Sequence, residues 1–102
     1  MLQSCYKPGK ITIKNNISQV EIQNVKWGDI VVASSLLPGE SSYPKIINKY
    51  TEKLPSSKTI SFKMTANGKT VYLETKEEFL LKEDDDILII LDDNTPVFNP
   101  NR

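Results

Sequence analysis

The run Lys58-Thr59-Ile60-Ser61-Phe62-Lys63-Met64-Thr65-Ala66-Asn67-Gly68-Lys69-Thr70-Val71-Tyr72-Leu73-Glu74-Thr75 decides the fold class. Ile60, Phe62 and Met64 alternate with polar residues, and Val71 and Leu73 alternate again beyond Asn67-Gly68. A period of two marks a strand with one face on a core. Asn-Gly is a favoured two-residue hairpin turn, because both of its positions take positive φ readily. The run predicts an antiparallel hairpin with arms at residues 58–66 and 69–75.

Working toward the amino terminus, Lys10-Ile11-Thr12-Ile13-Lys14 alternates in the same way, and Asn15-Asn16 suits a turn. Residues 17–27 read as a second strand. Val20 and Ile22 are even-numbered whereas Val25 and Trp27 are odd-numbered. One extra residue near Gln23-Asn24, a β-bulge, returns all four to one side. Trp27 is then a core residue. Gly28-Asp29 breaks the run, and Ile30-Val31-Val32-Ala33 begins a third strand. Leu36-Leu37-Pro38-Gly39-Glu40-Ser41 contains a strong turn signal. Residues 43–54 are ambiguous: Ile46, Ile47, Tyr50 and Leu54 lie at helical spacing behind Pro44, yet Ile and Tyr favour strands and the run is short for a helix. The strand is the favoured reading.

Toward the carboxyl terminus, Phe79-Leu80-Leu81 is a short apolar run, followed by Glu83-Asp84-Asp85-Asp86. Ile87-Leu88-Ile89-Ile90-Leu91 is apolar on both faces, which predicts a central strand covered on both sides. Asp92-Asp93-Asn94-Thr95 ends it, and Val97 and Phe98 are expected to pack back. Turn signals recur at intervals of roughly 8–12 residues. The fold class expected is all-β: an antiparallel two-sheet β-sandwich of seven or eight short strands. Residues 10–98 form its single domain, after residues 1–9 and before a polar tail at 99–102.

Composition narrows the chemistry. The chain has 102 residues, 38% of them apolar and 25% charged, which suits one packed domain. Thirteen basic residues balance thirteen acidic ones, so no nucleic-acid partner is expected. The only arginine is Arg102, and no glycine-rich phosphate loop is present. Charge is nonetheless uneven. Between Glu74 and Asp93 nine acids stand against two lysines, whereas between Lys7 and Lys63 nine lysines stand against four acids. The sequence contains no histidine, which excludes a Ser-His-Asp triad, a Cys-His pair and nearly every zinc or non-haem iron site. No serine is expected to act as a nucleophile of the G-x-S-x-G or S-x-x-K type, and carboxylate pairs such as Glu77/Glu78 are explained by solvation. The chain is expected to be non-enzymatic and to need no cofactor.

Glu83, Asp84, Asp85 and Asp86, with Asp92-Asp93 nearby, are the best metal candidates, since calcium takes six to eight oxygen ligands. They lack the glycine and the alternating spacing of an EF-hand loop. The competing reading is an acidic gatekeeper that keeps the apolar 87–91 strand from aggregating.

Cys5 is the only cysteine. Leu2-Gln3-Ser4-Cys5 has the form of a bacterial lipobox: Leu three places before the cysteine, a small residue directly before it, and a thiol that accepts the lipid. A precursor carries a charged and apolar signal upstream. Only four residues precede Cys5 here, so Met1 is read as a start residue set in place of that signal. The other reading of Cys5 is a free thiol in a short tail. On the lipobox reading the mature protein is expected to begin at Cys5 and to be tethered by acyl chains, each buried CH₂ contributing about 0.8 kcal/mol.

A run of landmarks resembles a family of small, uncharacterised bacterial lipoproteins, mostly from Gram-negative surfaces. They are Asn15-Asn16, Val25-Lys26-Trp27-Gly28, Leu37-Pro38-Gly39-Glu40-Ser41-Ser42, Ile60-Ser61-Phe62, Tyr72-Leu73-Glu74-Thr75-Lys76-Glu77 and Asp93-Asn94-Thr95-Pro96-Val97. The resemblance implies an immunoglobulin-like or transthyretin-like sandwich and a lipid-anchored place in the bacterial cell envelope. It carries no catalytic residues.

The function expected is a lipid-anchored domain that binds an unknown protein or cell-surface ligand and meets the membrane through its anchor only. One alternative is a small sandwich-type protease inhibitor presenting the loops that hold Pro38, Gly39, Asn67 and Gly68. Another is a carbohydrate or calcium module, with Tyr43, Tyr50 or Tyr72 stacking on sugar rings.

Overall fold

The computed structural model describes residues 7–100 of the chain. Ten strands and no helix lie among them: β1 (Gly9–Asn16), β2 (Ile22–Trp27), β3 (Ile30–Leu36), β4 (Lys45–Ile47), β5 (Ser56–Lys58), β6 (Ile60–Ala66), β7 (Lys69–Thr75), β8 (Phe79–Leu81), β9 (Asp86–Asp92) and β10 (Val97–Phe98). The hairpin forms as predicted. β6 and β7 pair antiparallel from Ser61↔Glu74 to Ala66↔Lys69. Asn67 and Gly68 have φ of 53° and 76°, the left-handed pair of a type I′ turn, whose twist matches that of the arms. The first arm begins later than predicted, because Lys58 belongs to β5, which pairs with β8.

The bulge in β2 is also present. The β2–β3 register shifts between Val25 and Lys26, the β2–β6 register shifts between Gln23 and Lys26, and Asn24 has φ of 54°. The shift restores the phase, so Ile22, Val25 and Trp27 are all fully buried. Residues 43–54 supply strand β4 and no helix. Ile46 and Ile47 point to opposite sides, one exposed and one buried. The chain then turns at Asn48, whose Oδ1 accepts the Tyr50 and Thr51 amides at 2.9 and 3.1 Å.

The strands make three ladders, ordered β10-β7-β6-β2-β3, β4-β1-β9 and β5-β8. Ile22, Val25, Trp27, Ile60 and Phe62 from the large sheet share one core with Ile11, Ile13, Ile47, Ile89 and Leu91 from the three-stranded sheet. Burying each such side chain stabilises the fold by about 1.5–3 kcal/mol. The result is a β-sandwich-like all-β fold.

Five expectations need correction. Asn15-Asn16 belongs to β1 and is not a turn, and the second strand begins at Ile22 and not at residue 17, because the chain turns at residues 18–19, where Gln19 has φ of 60°. Among the described residues the strands number ten, because the short pieces β5, β8 and β10 pair as well. The pairing is not wholly antiparallel: β1 and β9 run parallel along their length, from Lys10↔Asp86 to Asn16↔Asp92, an arrangement a long intervening chain permits. Finally, β9 is an edge strand and not a central one. Only its inward side is covered; Leu88 and Ile90 remain 55% and 47% exposed.

Candidate functional site

The lipobox and Cys5 lie outside the described residues. Lys7, two residues after Cys5, is fastened to the acidic turn. Its backbone N–H donates to Glu83 Oε1 at 3.3 Å and its carbonyl accepts the Asp84 amide at 3.2 Å. Its Nζ lies 3.9 Å from Asp84 Oδ2, an exposed pair of small energetic weight. Lys10 N–H then donates to the Asp85 carbonyl at 2.8 Å, which starts the β1–β9 ladder. The turn closes on itself: Asp85 Oδ2 accepts the Lys82 amide at 2.9 Å, and Asp84 takes φ of 66°.

Glu83 and Asp85 thus hold backbone amides, and the four carboxylates do not converge. Among the described residues no group of three acidic or other ligating side chains is placed to hold a metal ion. Asp92 and Asp93 are not near the turn. β9 separates Asp86 from Asp92 by six residue steps, a span of about 20 Å. Asp92 Oδ1 accepts the Asn94 amide at 2.9 Å. Asp93 receives the Ser18 amide at 2.9 Å and the Ser18 hydroxyl at 2.6 Å. These two bonds to Ser18, the hydroxyl first, hold the Asp93 carboxyl below its usual range.

The two loops proposed for ligand contact do share an end of the molecule. In the β2 register Ile22 pairs with both Leu36 and Met64. The Pro38-Gly39 turn and the Asn67-Gly68 turn therefore emerge beside each other, one strand apart. Their environments differ. The 37–40 turn is tied to β1, with Gly39 N–H donating to the Asn15 carbonyl at 2.6 Å and Asn15 N–H to the Glu40 carbonyl at 2.9 Å. Glu40 Oε1 accepts the Leu37 amide at 2.8 Å. The Asn67-Gly68 tip has open space around Gly68.

The three tyrosines do not form one platform. Tyr43 is 92% exposed beside a groove of about 300 Å³ with Ser34, Ser35 and Ser41. Tyr50 lies beyond β4, with Lys49 Nζ 5.3 Å from its ring, and Tyr72 sits on β7. Ser42 and Lys45 have S-x-x-K spacing, but Ser42 Oγ is an acceptor for the Ile13 amide at 3.0 Å.

The feature missed from sequence is the outer side of the three-stranded sheet. The register puts Lys10, Thr12 and Lys14 in the middle, with Ile46 on one flank and Leu88 and Ile90 on the other. The acids at both ends of the 87–91 run were the available signal, since such flanks suit an open edge better than a covered centre. No protein-family model, curated protein or solved structure matches this chain.

Proposed function

We propose that this chain is a non-enzymatic, lipid-anchored binding domain of the bacterial cell envelope, of immunoglobulin-like or transthyretin-like type. The observation that carries the binding role is the apolar strand β9, open at a sheet edge with Leu88 and Ile90 facing water. Large exposed apolar side chains in neighbouring positions mark interaction surfaces more often than scattered single ones do. The lipobox residues Leu2-Gln3-Ser4-Cys5 support the anchor. The Lys7 contacts with the acidic turn support an orientation in which the Pro38-Gly39 and Asn67-Gly68 turns, at the opposite end of β1, point away from the tether. Expression of the gene with its own upstream sequence, with radioactive palmitate in the native host, tests the anchor. Label that disappears in Cys5→Ser supports it, and an unlabelled wild-type protein defeats it.

A second reading, protease inhibition, is favoured by the shared end of the two turns. A panel of serine and cysteine proteases assayed with excess protein tests it, and full residual activity throughout removes it.

A further inference from the structure

We propose that the free edge of β9 docks an extended segment of a partner protein that carries apolar side chains at alternate positions and a lysine or arginine at each end. This rests on the binding-domain reading above and names its site and partner chemistry. In a parallel ladder, alternate residues turn their backbone groups to the neighbouring strand and the residues between turn theirs away. Lys10 N–H bonds the Asp85 carbonyl, and Lys10 registers with Asp86. Ile87, Ile89 and Leu91 therefore bond β1, while Asp86, Leu88 and Ile90 direct N–H and C=O to the open edge. The ladder stops at Asp92, whose N–H is taken by Thr95 Oγ1 at 2.9 Å. Among the described residues these three thus have no ladder partner at the edge, and the side chains of two of them present apolar surface. Strand addition supplies main-chain bonds to the first feature and side-chain contacts to the second.

Charge selects the occupant. The edge begins at Asp86, after Glu83, Asp84 and Asp85, and ends at Asp92 and Asp93. Lys10 and Lys14 belong to β1, one strand back from the edge. A second copy is disfavoured: a two-fold antiparallel pairing centred on Ile89 sets Asp86 against the partner's Asp92 at both ends, and like charges directly opposite destabilise a sheet. The same acids repel an anionic lipid surface. A segment with basic ends meets them favourably.

The test uses the isotopically labelled full chain and a seven-residue peptide of alternating threonine and valine with a lysine at each end, compared with its glutamate-ended counterpart. Amide shifts and exchange protection centred on residues 86–90, with the glutamate peptide about ten-fold weaker or worse, support the proposal. Leu88→Pro removes one outward N–H while leaving the β1 ladder intact, as edge prolines do, and should abolish the effect. Ile90→Lys, which adds a charge at the edge, should weaken binding of the lysine-ended peptide even if the proline variant does not fold. Perturbation elsewhere, no perturbation, or equal binding of both peptides overturns the proposal. So does Leu88-dependent dimerisation in sedimentation, or Leu88-dependent binding to phosphatidylglycerol vesicles. Palmitate labelling reads the anchor independently, so the two claims fail separately.

Discussion

The Asn15 side chain donates its Nδ2 to the Leu36 carbonyl at 2.9 Å, joining the end of β1 to the end of β3 across the interior. A second Nδ2 bond reaches the Val20 carbonyl at 2.8 Å, and Oδ1 accepts the Ile17 amide at 3.0 Å. Asn15 is fully buried, so this one amide serves three backbone groups, at least one of them sealed from water. Asn15 thus acts from inside β1 as a link between the two main sheets, not as a turn residue.

Asn15→Leu should therefore destabilise the fold by about 2–4 kcal/mol, because the backbone partners lose their bonds as well as the side chain. Urea unfolding with an unchanged slope is the measurement. A loss below about 0.5 kcal/mol would show that water replaces the amide freely.

Gly28 has φ of 62°, and a Cβ there meets Lys58 Cδ. Lys58 Nζ lies 5.9 Å from the Trp27 ring and 3.3 Å from Glu52 Oε2. Gly28→Ala should cost about 1–2 kcal/mol from backbone strain, and displacement of Lys58 should add to it. In combination with Lys58→Ala the cost should fall short of the sum, since the clash is then gone. Strict additivity in a double-mutant cycle would contradict the contact.

Gly68 isolates the backbone contribution. It has φ of 76° and nothing within 4 Å of an added Cβ, so Gly68→Ala should cost about 1 kcal/mol by conformation alone. Thermal melting checks this, and an unchanged melting temperature would argue against a type I′ turn.

Ser18 controls the acid response of Asp93. Because the folded carboxyl is held below its usual range, the unfolded chain binds the proton first as pH falls. The stabilisation is present above the unfolded value and is lost as pH drops through the folded one. Ser18→Ala should raise the Asp93 midpoint toward that of an ordinary carboxylate in a carbon-detected NMR titration. An unmoved midpoint would mean the Ser18 contact does not act in solution.

Much of the architecture was legible because it depends on neighbours in the chain. The type I′ turn at Asn67-Gly68 follows from two residues that tolerate positive φ, and the bulge near Asn24 follows from a parity change between Ile22 and Val25. Burial of Trp27 follows from the same phase. Its Nε1–H finds the Phe79 carbonyl at 3.0 Å, a partner 52 positions away that no local pattern announces. The acidic turn was legible as a turn, but its service to Lys7 was not, since that contact spans most of the chain.

Local alternation, turn chemistry and the absence of histidine thus established by themselves an all-β chain without imidazole chemistry. They act through steric and hydrogen-bonding preferences within a few residues. Which strands neighbour one another was decided only in three dimensions. Five successive apolar residues at 87–91 look the same whether one face or two are covered. Among the described residues nothing packs over the outer face of the β4-β1-β9 sheet, which left Leu88 and Ile90 in water while Ile89 and Leu91 were buried on the other face. The physical reason is that exposure depends on which distant segment arrives to cover a strand, and a period-two pattern contains no record of that segment.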